Sequence, residues 1–214
     1  MLFRSKKISP EIGKKLDLSS WQAALNGAEP IKAKTLEKFT KKFAKYGFKK
    51  ETHAPSYGMA EATVFISACK YQHKPLTKSF NKDLLEISGK AQIASRNENQ
   101  KKLVSCGRGE MMKKLWIVEP NNSTKCQDGF VGEIWVQDDS VARGYWHKEE
   151  LTREIFNAYE KTYQQGPFLR TGDLGFIYQG ELYITGRYKD LIIIRGQNIY
   201  PQDIELITEE AHSS

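Results

Sequence analysis

From Ile31 to Gly47 apolar residues return every three or four positions. Leu36, Phe39, Phe43 and Tyr46 share a face, while Lys34, Lys38, Lys41, Lys42 and Lys45 take the others. This period predicts one amphipathic helix. Pro30 suits its start, and Gly47 suits the left-handed position just past its end. Upstream, Trp21 to Leu25 runs into Asn26-Gly27-Ala28-Glu29-Pro30, which predicts a short strand feeding a tight loop. Strand, loop and helix in that order form the ordinary unit of an α/β sheet.

Beyond Glu61 the pattern changes. Val64-Phe65-Ile66 predicts a strand. The stretch from Lys70 to Lys102 is polar, contains Pro75 and Gly89, and keeps no period, so it reads as an insertion with little core of its own. Short β segments follow at Lys114–Val118, Gly132–Val136, Gly175–Tyr178, Glu181–Thr185 and Leu191–Ile194. Gln179-Gly180 and Asp128-Gly129 are turn pairs, and Lys148–Tyr159 fits a surface helix. The order describes the end of an α/β layer followed by a β-rich subdomain, without internal repeats.

Composition narrows this picture. With 39% hydrophobic and 11% aromatic residues, the 214-residue chain can bury a core. Its longest apolar runs are far too short to span a membrane, and Met1–Lys7 holds no signal-peptide core, so a cytoplasmic location is expected. Cys69, Cys106 and Cys126 lack metal-ligand spacing and suit a reducing compartment as small buried residues; His53, His73, His147 and His212 are scattered. The net charge of +7 is uneven, with +9 in residues 1–50 and −2 in the rest. Such lysines can be a solvated helix face or can meet nucleic acid, an anionic membrane or an acidic protein. Nucleic acid is disfavoured because no recognised nucleic-acid-binding fold accompanies the lysines.

There is no phosphate-binding Gly-x-x-x-x-Gly-Lys motif, dinucleotide fingerprint or nucleophile elbow. Four polar clusters beside β segments remain, each with two readings. Asn26–Pro30 is either a plain loop or one whose small residues admit a flat ligand. In Tyr57-Gly58-Met59-Ala60-Glu61, a ring can stack on a base, Gly58 permits close approach and Glu61 can hold a hard cation; the alternative is a turn with one exposed acid. Asp173 in Arg170-Thr171-Gly172-Asp173-Leu174 can accept two ribose hydroxyls or satisfy its own turn. Arg187 in Gly186-Arg187-Tyr188-Lys189-Asp190 can grip ribose or phosphate oxygens or form a surface ion pair.

Taken together and in order, these strings change the reading. Tyr57–Glu61, Gly132-Glu-Ile-Trp-Val136 with Val141-Ala-Arg-Gly-Tyr-Trp146, Arg170–Leu174 and Gly186–Asp190 closely resemble the adenylate-forming superfamily of acyl-CoA synthetases, peptide-synthetase adenylation domains and luciferases. The match runs from Leu16 to Glu205. Asp17-Leu-Ser-Ser-Trp21, Leu103-Val-Ser-Cys-Gly107 and Arg195-Gly-Gln-Asn-Ile-Tyr-Pro201 resemble the fatty acyl-AMP ligase branch within it. Ala60, where most relatives carry Thr or Ser, and the polar stretch near 70–102 point the same way. An acyl-CoA synthetase fragment is the alternative.

The resemblance implies a fold and a chemistry. The fold would be the second half of the large adenylate-forming domain: part of an α/β sheet layer and a distorted antiparallel β-barrel subdomain, with the first residues of the small carboxy-terminal domain. The divisions would be 1–67, 68–187 and 188–214. The reaction would join ATP and a fatty acid as acyl-AMP, with later transfer to an acyl carrier protein. Gly27, Ala28 and Glu29 would border adenine; Tyr57 would stack on it beside Gly58. Glu61 would hold Mg²⁺, Asp173 the ribose hydroxyls and Arg187 ribose or phosphate, with Glu61 and Arg187 as the catalytic pair. Lys189 matches the hinge of the carboxy-terminal domain. The family's phosphate-gripping loop and its catalytic lysine match nothing in the chain. The expectation is therefore a fragment that is inactive alone; the alternative is a non-catalytic carrier-binding remnant.

Overall fold

The computed structural model describes residues 5, 7–70, 73–108 and 114–211. The amino-terminal residues 1–4 and His212, which entered the expectations above, lie outside the described residues.

Strand β1 (Ala24–Asn26) lies parallel to β2 (His53–Tyr57), pairing Ala24 with His53 and Asn26 with Pro55; β3 (Ser67–Ala68) joins β2 antiparallel. The predicted helix is α1 (Ala33–Phe43), extended by a 3-10 turn over Ala44–Tyr46. Its face of Ala33, Leu36, Phe39 and Phe43 is buried, and its lysines lie on the other side. Gly47 closes it at φ +90, where an added Cβ would come within 2.8 Å of the Ser19 nitrogen. Phe39, Phe43, Phe48 and Ala24 form the core of this layer, with Trp21 edge-on to Phe48 at 5.5 Å.

The strand expected at Val64–Ile66 is absent. After a 3-10 turn over Ala60–Ala62, Thr63 and Val64 take left-handed conformations at φ 52 and 69, and the Val64 amide donates to the Met59 carbonyl at 2.9 Å. Val64 is 76% exposed. Its β-branched preference therefore has no packed surface to act on, and the turn's hydrogen bonds prevail.

The polar stretch near 70–102 also departs from expectation. β4 (Thr77–Asn81) pairs antiparallel with β5 (Gln100–Val104), and α2 (Lys82–Ser88) stands between them, capped by the Asn81 side chain accepting from the Leu84 amide. Its core is shared with the sheet: it contributes Phe80 and Leu85, both fully buried with Phe176 and Tyr183. Phe80 meets the Phe176 ring at 5.0 Å and the Tyr183 ring at 5.2 Å, both edge-on. Two large apolar residues are too few to create a period, but each such burial contributes about 1.5–3 kcal/mol.

The remaining strands are β6 (Lys114–Glu119), β7 (Thr124–Lys125), β8 (Gly132–Gln137), β9 (Ala158–Glu160), β10 (Gln165–Tyr178) and β11 (Glu181–Arg187). They form an antiparallel sheet in the order β11-β10-β8-β6-β7, with β9 also paired to β10. Gln179 and Gly180, both at positive φ, make the tight β10–β11 turn. Alternation along these strands serves several cores. Phe176 and Tyr183 pack on the β4–β5 unit, whereas Ile177 and Leu182 join Ile117, Ile134, Val136 and Leu169. Ala62 and Ile66, both fully buried, plug into that second core and so fix the Tyr57–Glu61 segment against the sheet. α3 (Glu149–Phe156) covers it through Phe156.

The chain continues into a hairpin of β12 (Ile192–Ile194) and β13 (Gln197–Ile199), then α4 (Pro201–Ala211). Tyr200 is buried, and Lys101 of β5 reaches Asp203 at 2.6 Å while lying 4.1 Å from the Tyr200 ring centroid. Among the described residues no helix is long and apolar enough to cross a membrane.

Candidate functional site

In a parallel strand pair, loops at the carboxyl ends open onto a common crevice. Here the loop after β1 carries Gly27, Ala28 and Glu29, all exposed, and β2 ends in Tyr57 followed by Gly58. The two ends are tied where the Ser56 hydroxyl donates to the Asn26 carbonyl at 3.0 Å. Ala28 is left-handed at φ 67, which turns the loop sharply. Gly58 has a use that its sequence context did not suggest: an added Cβ would lie 1.9 Å from the Val64 carbonyl oxygen. Its close approach is to the chain's own backbone.

Facing the end of β2 stands Asp173, on an irregular stretch of β10. The Tyr57 hydroxyl donates to its Oδ2 at 2.7 Å, and Arg187 Nε lies 3.4 Å from Oδ1. Three expected site residues thus meet, although 116 positions separate Tyr57 from Asp173. Burial pushes the Asp173 carboxyl above the ordinary aspartate range, opposed by the Tyr57 hydrogen bond and the Arg187 charge. Burial first, and the Asp173 charge second, push the Tyr57 phenol well above its usual value. Tyr57 is therefore a fixed hydrogen-bond donor, and its partly buried ring packs against the core that holds Ala62 and Ile66. Arg187 is 71% exposed, so its pair with Asp173 is screened and its fork remains open to a ligand.

Glu61 occupies a separate position, on the 3-10 turn beyond Tyr57. Tyr145 donates to its Oε1 at 2.7 Å, and its backbone carbonyl accepts from the Ala142 amide at 2.8 Å. Burial, and then the hydrogen bond to Glu61, push Tyr145 up to about 12, so it too stays a donor. The Thr63 hydroxyl donates to the Ser140 carbonyl at 2.6 Å, binding the same loop to the turn. Lys189 lies exposed in the turn after β11, two residues beyond Arg187. Among the described residues no three His, Cys, Asp or Glu side chains gather.

Sequence reasoning gave no role to Glu133 or Tyr145, although both lie in motifs it quoted. Glu133 is 2% exposed and accepts from Arg170 and Trp135 side chains and from the Gly172 amide. A charged residue inside an otherwise apolar strand, Gly-Glu-Ile-Trp-Val, was the available signal.

Residues 1–146 match the family model described as AMP-binding enzyme. The chain belongs to this family of AMP-binding enzymes. It is 46% identical over 201 residues to the medium-chain-fatty-acid–[acyl-carrier-protein] ligase JamA of Moorena producens, covering 93% of this chain and 34% of that protein. It is 37% identical over 206 residues to the long-chain-fatty-acid–AMP ligase FadD32 of Mycolicibacterium smegmatis, covering 92% and 33%. Among solved structures, one from a study of fatty acyl-adenylate ligases from E. coli and L. pneumophila superposes at a TM-score of 0.85, with 34% identity, over 96% of this chain and 36% of that one. The L. pneumophila ligase in complex with acyl adenylate and pyrophosphate superposes at 0.79 with 40% identity, over 86% and 32%. The chain therefore spans about a third of the length of the relatives it matches. Its mixed, sheet-rich fold is that of part of the adenylate-forming domain, as the sequence implied.

Proposed function

We propose that the chain forms the nucleotide-binding side of an ATP-dependent fatty acyl-AMP ligase. The observation that carries this reading is the meeting of Tyr57, Asp173 and Arg187 beside the carboxyl ends of β1 and β2. An ionised carboxylate accepts about four hydrogen bonds. Tyr57 takes one position on Asp173, which leaves acceptor capacity for the two hydroxyls of a ribose. Partial burial excludes water and strengthens those bonds. The Tyr57 ring and the Gly27–Glu29 loop would border the adenine, and Arg187 would face ribose or phosphate oxygens.

Activation of a carboxylate gathers negative charge on phosphate oxygens, which need cations and donors. Arg187 supplies one. Mg²⁺, which takes few protein carboxylates because phosphates and water complete its shell, would supply another and would be held by Glu61. Tyr145 orients that carboxylate by donating to one of its oxygens. The names of two relatives, JamA and the Teredinibacter turnerae ligase TtuA, support a fatty acid as acyl donor and an acyl carrier protein as acceptor. The divisions that accompany this reading are 1–67, 68–187 and 188–214, with Lys189 as hinge.

Calorimetric titration of the chain with AMP and with a non-hydrolysable fatty acyl-adenylate tests the proposal. Both are expected to bind, the acyl-adenylate more tightly, and Asp173→Ala should weaken both by about tenfold or more. Equal binding by the variant would remove Asp173 from the site.

A further inference from the structure

Glu133 lies within β8 between Gly132 and Ile134, where its carboxylate is almost wholly buried. Its Oε2 accepts from Arg170 at 3.0 Å (Nε) and 2.9 Å (Nη2) and from the Trp135 indole at 2.9 Å. Its Oε1 accepts from the Gly172 amide at 3.1 Å. These donors come from the place where β10 leaves its register with β8. Arg170 stands opposite Trp135 and Leu174 opposite Glu133, so four steps along β10 answer two along β8. The surplus is a bulge over Thr171–Asp173.

Inside the bulge Gly172 is left-handed at φ +72. The Thr171 hydroxyl donates to the Ile134 carbonyl at 2.8 Å and accepts from the Asp173 amide at 3.1 Å. The Gly172 carbonyl accepts from the Tyr188 amide at 2.8 Å, which ties the bulge to the segment just past Arg187. Asp173 then projects toward Tyr57 and Arg187. Bulges re-aim side chains in this way.

A buried ion pair is a poor source of stability, because apolar residues of similar size fill a strand interior at lower desolvation cost. What the Glu133 carboxylate uniquely supplies is a fixed acceptor for Gly172 and a brace for Arg170. We infer that Glu133 is a positioning residue: through the Arg170–Gly172 bulge it aims the Asp173 carboxylate at the ribose hydroxyls. This rests on the nucleotide-binding reading above.

The test compares AMP with 2′,3′-dideoxy-AMP, which lacks the groups Asp173 would read, in titrations of the full chain. The unsubstituted chain should prefer AMP, and Asp173→Ala should abolish the preference. Glu133→Gln, similar in shape but uncharged, should lower the preference by about tenfold while the circular dichroism spectrum stays that of the folded chain. A purely structural Glu133 would weaken both nucleotides equally, and that result overturns the inference. So does an unchanged preference. If the unsubstituted chain does not distinguish the nucleotides, the ribose reading itself fails. Should Glu133→Gln not fold, Arg170→Lys removes the planar fork and leaves Glu133 in place. It must also lower the preference, and full retention would refute the brace.

Discussion

Asp173 and Gly27 belong to the same candidate site but are held by different kinds of structure. Asp173 rides on a 14-residue strand paired on both sides, which carries the fully buried Phe168 and Phe176. Gly27 follows a three-residue strand paired on one side only, in a layer that leaves Trp21 41%, Leu25 67% and Val64 76% exposed. The first half of the site is fixed by a shared core and a buried carboxylate. The second is fixed by a few backbone pairs and the insertion of Ala62 and Ile66 into that core. Local stability follows buried contacts, so the loop side should open more easily than the strand side. The Asp173 side of the candidate site is thereby preformed, and adaptation to a bound molecule would fall to the loop.

The largest effect should come from Phe80→Ala, which tests whether the polar stretch truly shares the Asp173 half's core. Phe80 is fully buried against Phe176 and Tyr183, and its truncation should cost about 3–5 kcal/mol in urea unfolding. A loss below about 1 kcal/mol would mean that the β4–β5 unit folds apart from the sheet.

Asp173→Asn should act in the opposite direction and more weakly. Burial raises the Asp173 pKa in the folded chain, so the folded state holds that proton more tightly than the unfolded state does. Stability from this group is therefore lost as pH rises from the ordinary value of 3.8 through the raised one, and the cost persists above it. The variant should flatten that slope and be at least as stable as the parent at neutral pH, while binding nucleotide less well. An unaltered slope would show that Tyr57 and Arg187 fully offset the burial.

Lys102→Ala removes an exposed 2.7 Å ion pair with Glu37, which joins β5 to the lysine-bearing helix α1 beside the buried contact of Val104 with Ala33 and Leu36. The loss should be at most about 1 kcal/mol and should vanish in high salt. Smallest of all, Leu25→Ala on the exposed strand should shift stability by less than about 0.5 kcal/mol. A larger loss would show that the layer is covered by other protein in solution, which a concentration dependence of the melting temperature would reveal.

The legible parts of the chain were those where local pattern and local structure coincide. Helix α1 and its Gly47 stop could be read from period and a single residue, and the Gln179-Gly180 turn from its dipeptide. Tyr57, Asp173 and Arg187 could be picked out by motif. Their meeting could not, since nothing in a linear pattern states that a hydroxyl will find a carboxylate 116 residues away.

By itself, then, the sequence determined the helix, several strands and turns, the family resemblance and the residue types offered for chemistry. These depend on intervals of a few positions, or on motif wording, and both survive in one dimension. Only the tertiary structure decided that Val64 turns away from a strand, that Phe80 and Leu85 complete a core, and that Gly58 yields to the Val64 carbonyl. It alone put Glu133 beneath the bulge that aims Asp173. Each of these outcomes turns on which distant group fills a given volume or answers a given donor. Close packing and the cost of an unpaired buried polar group set those matches, and both act between residues the chain does not bring together until it folds.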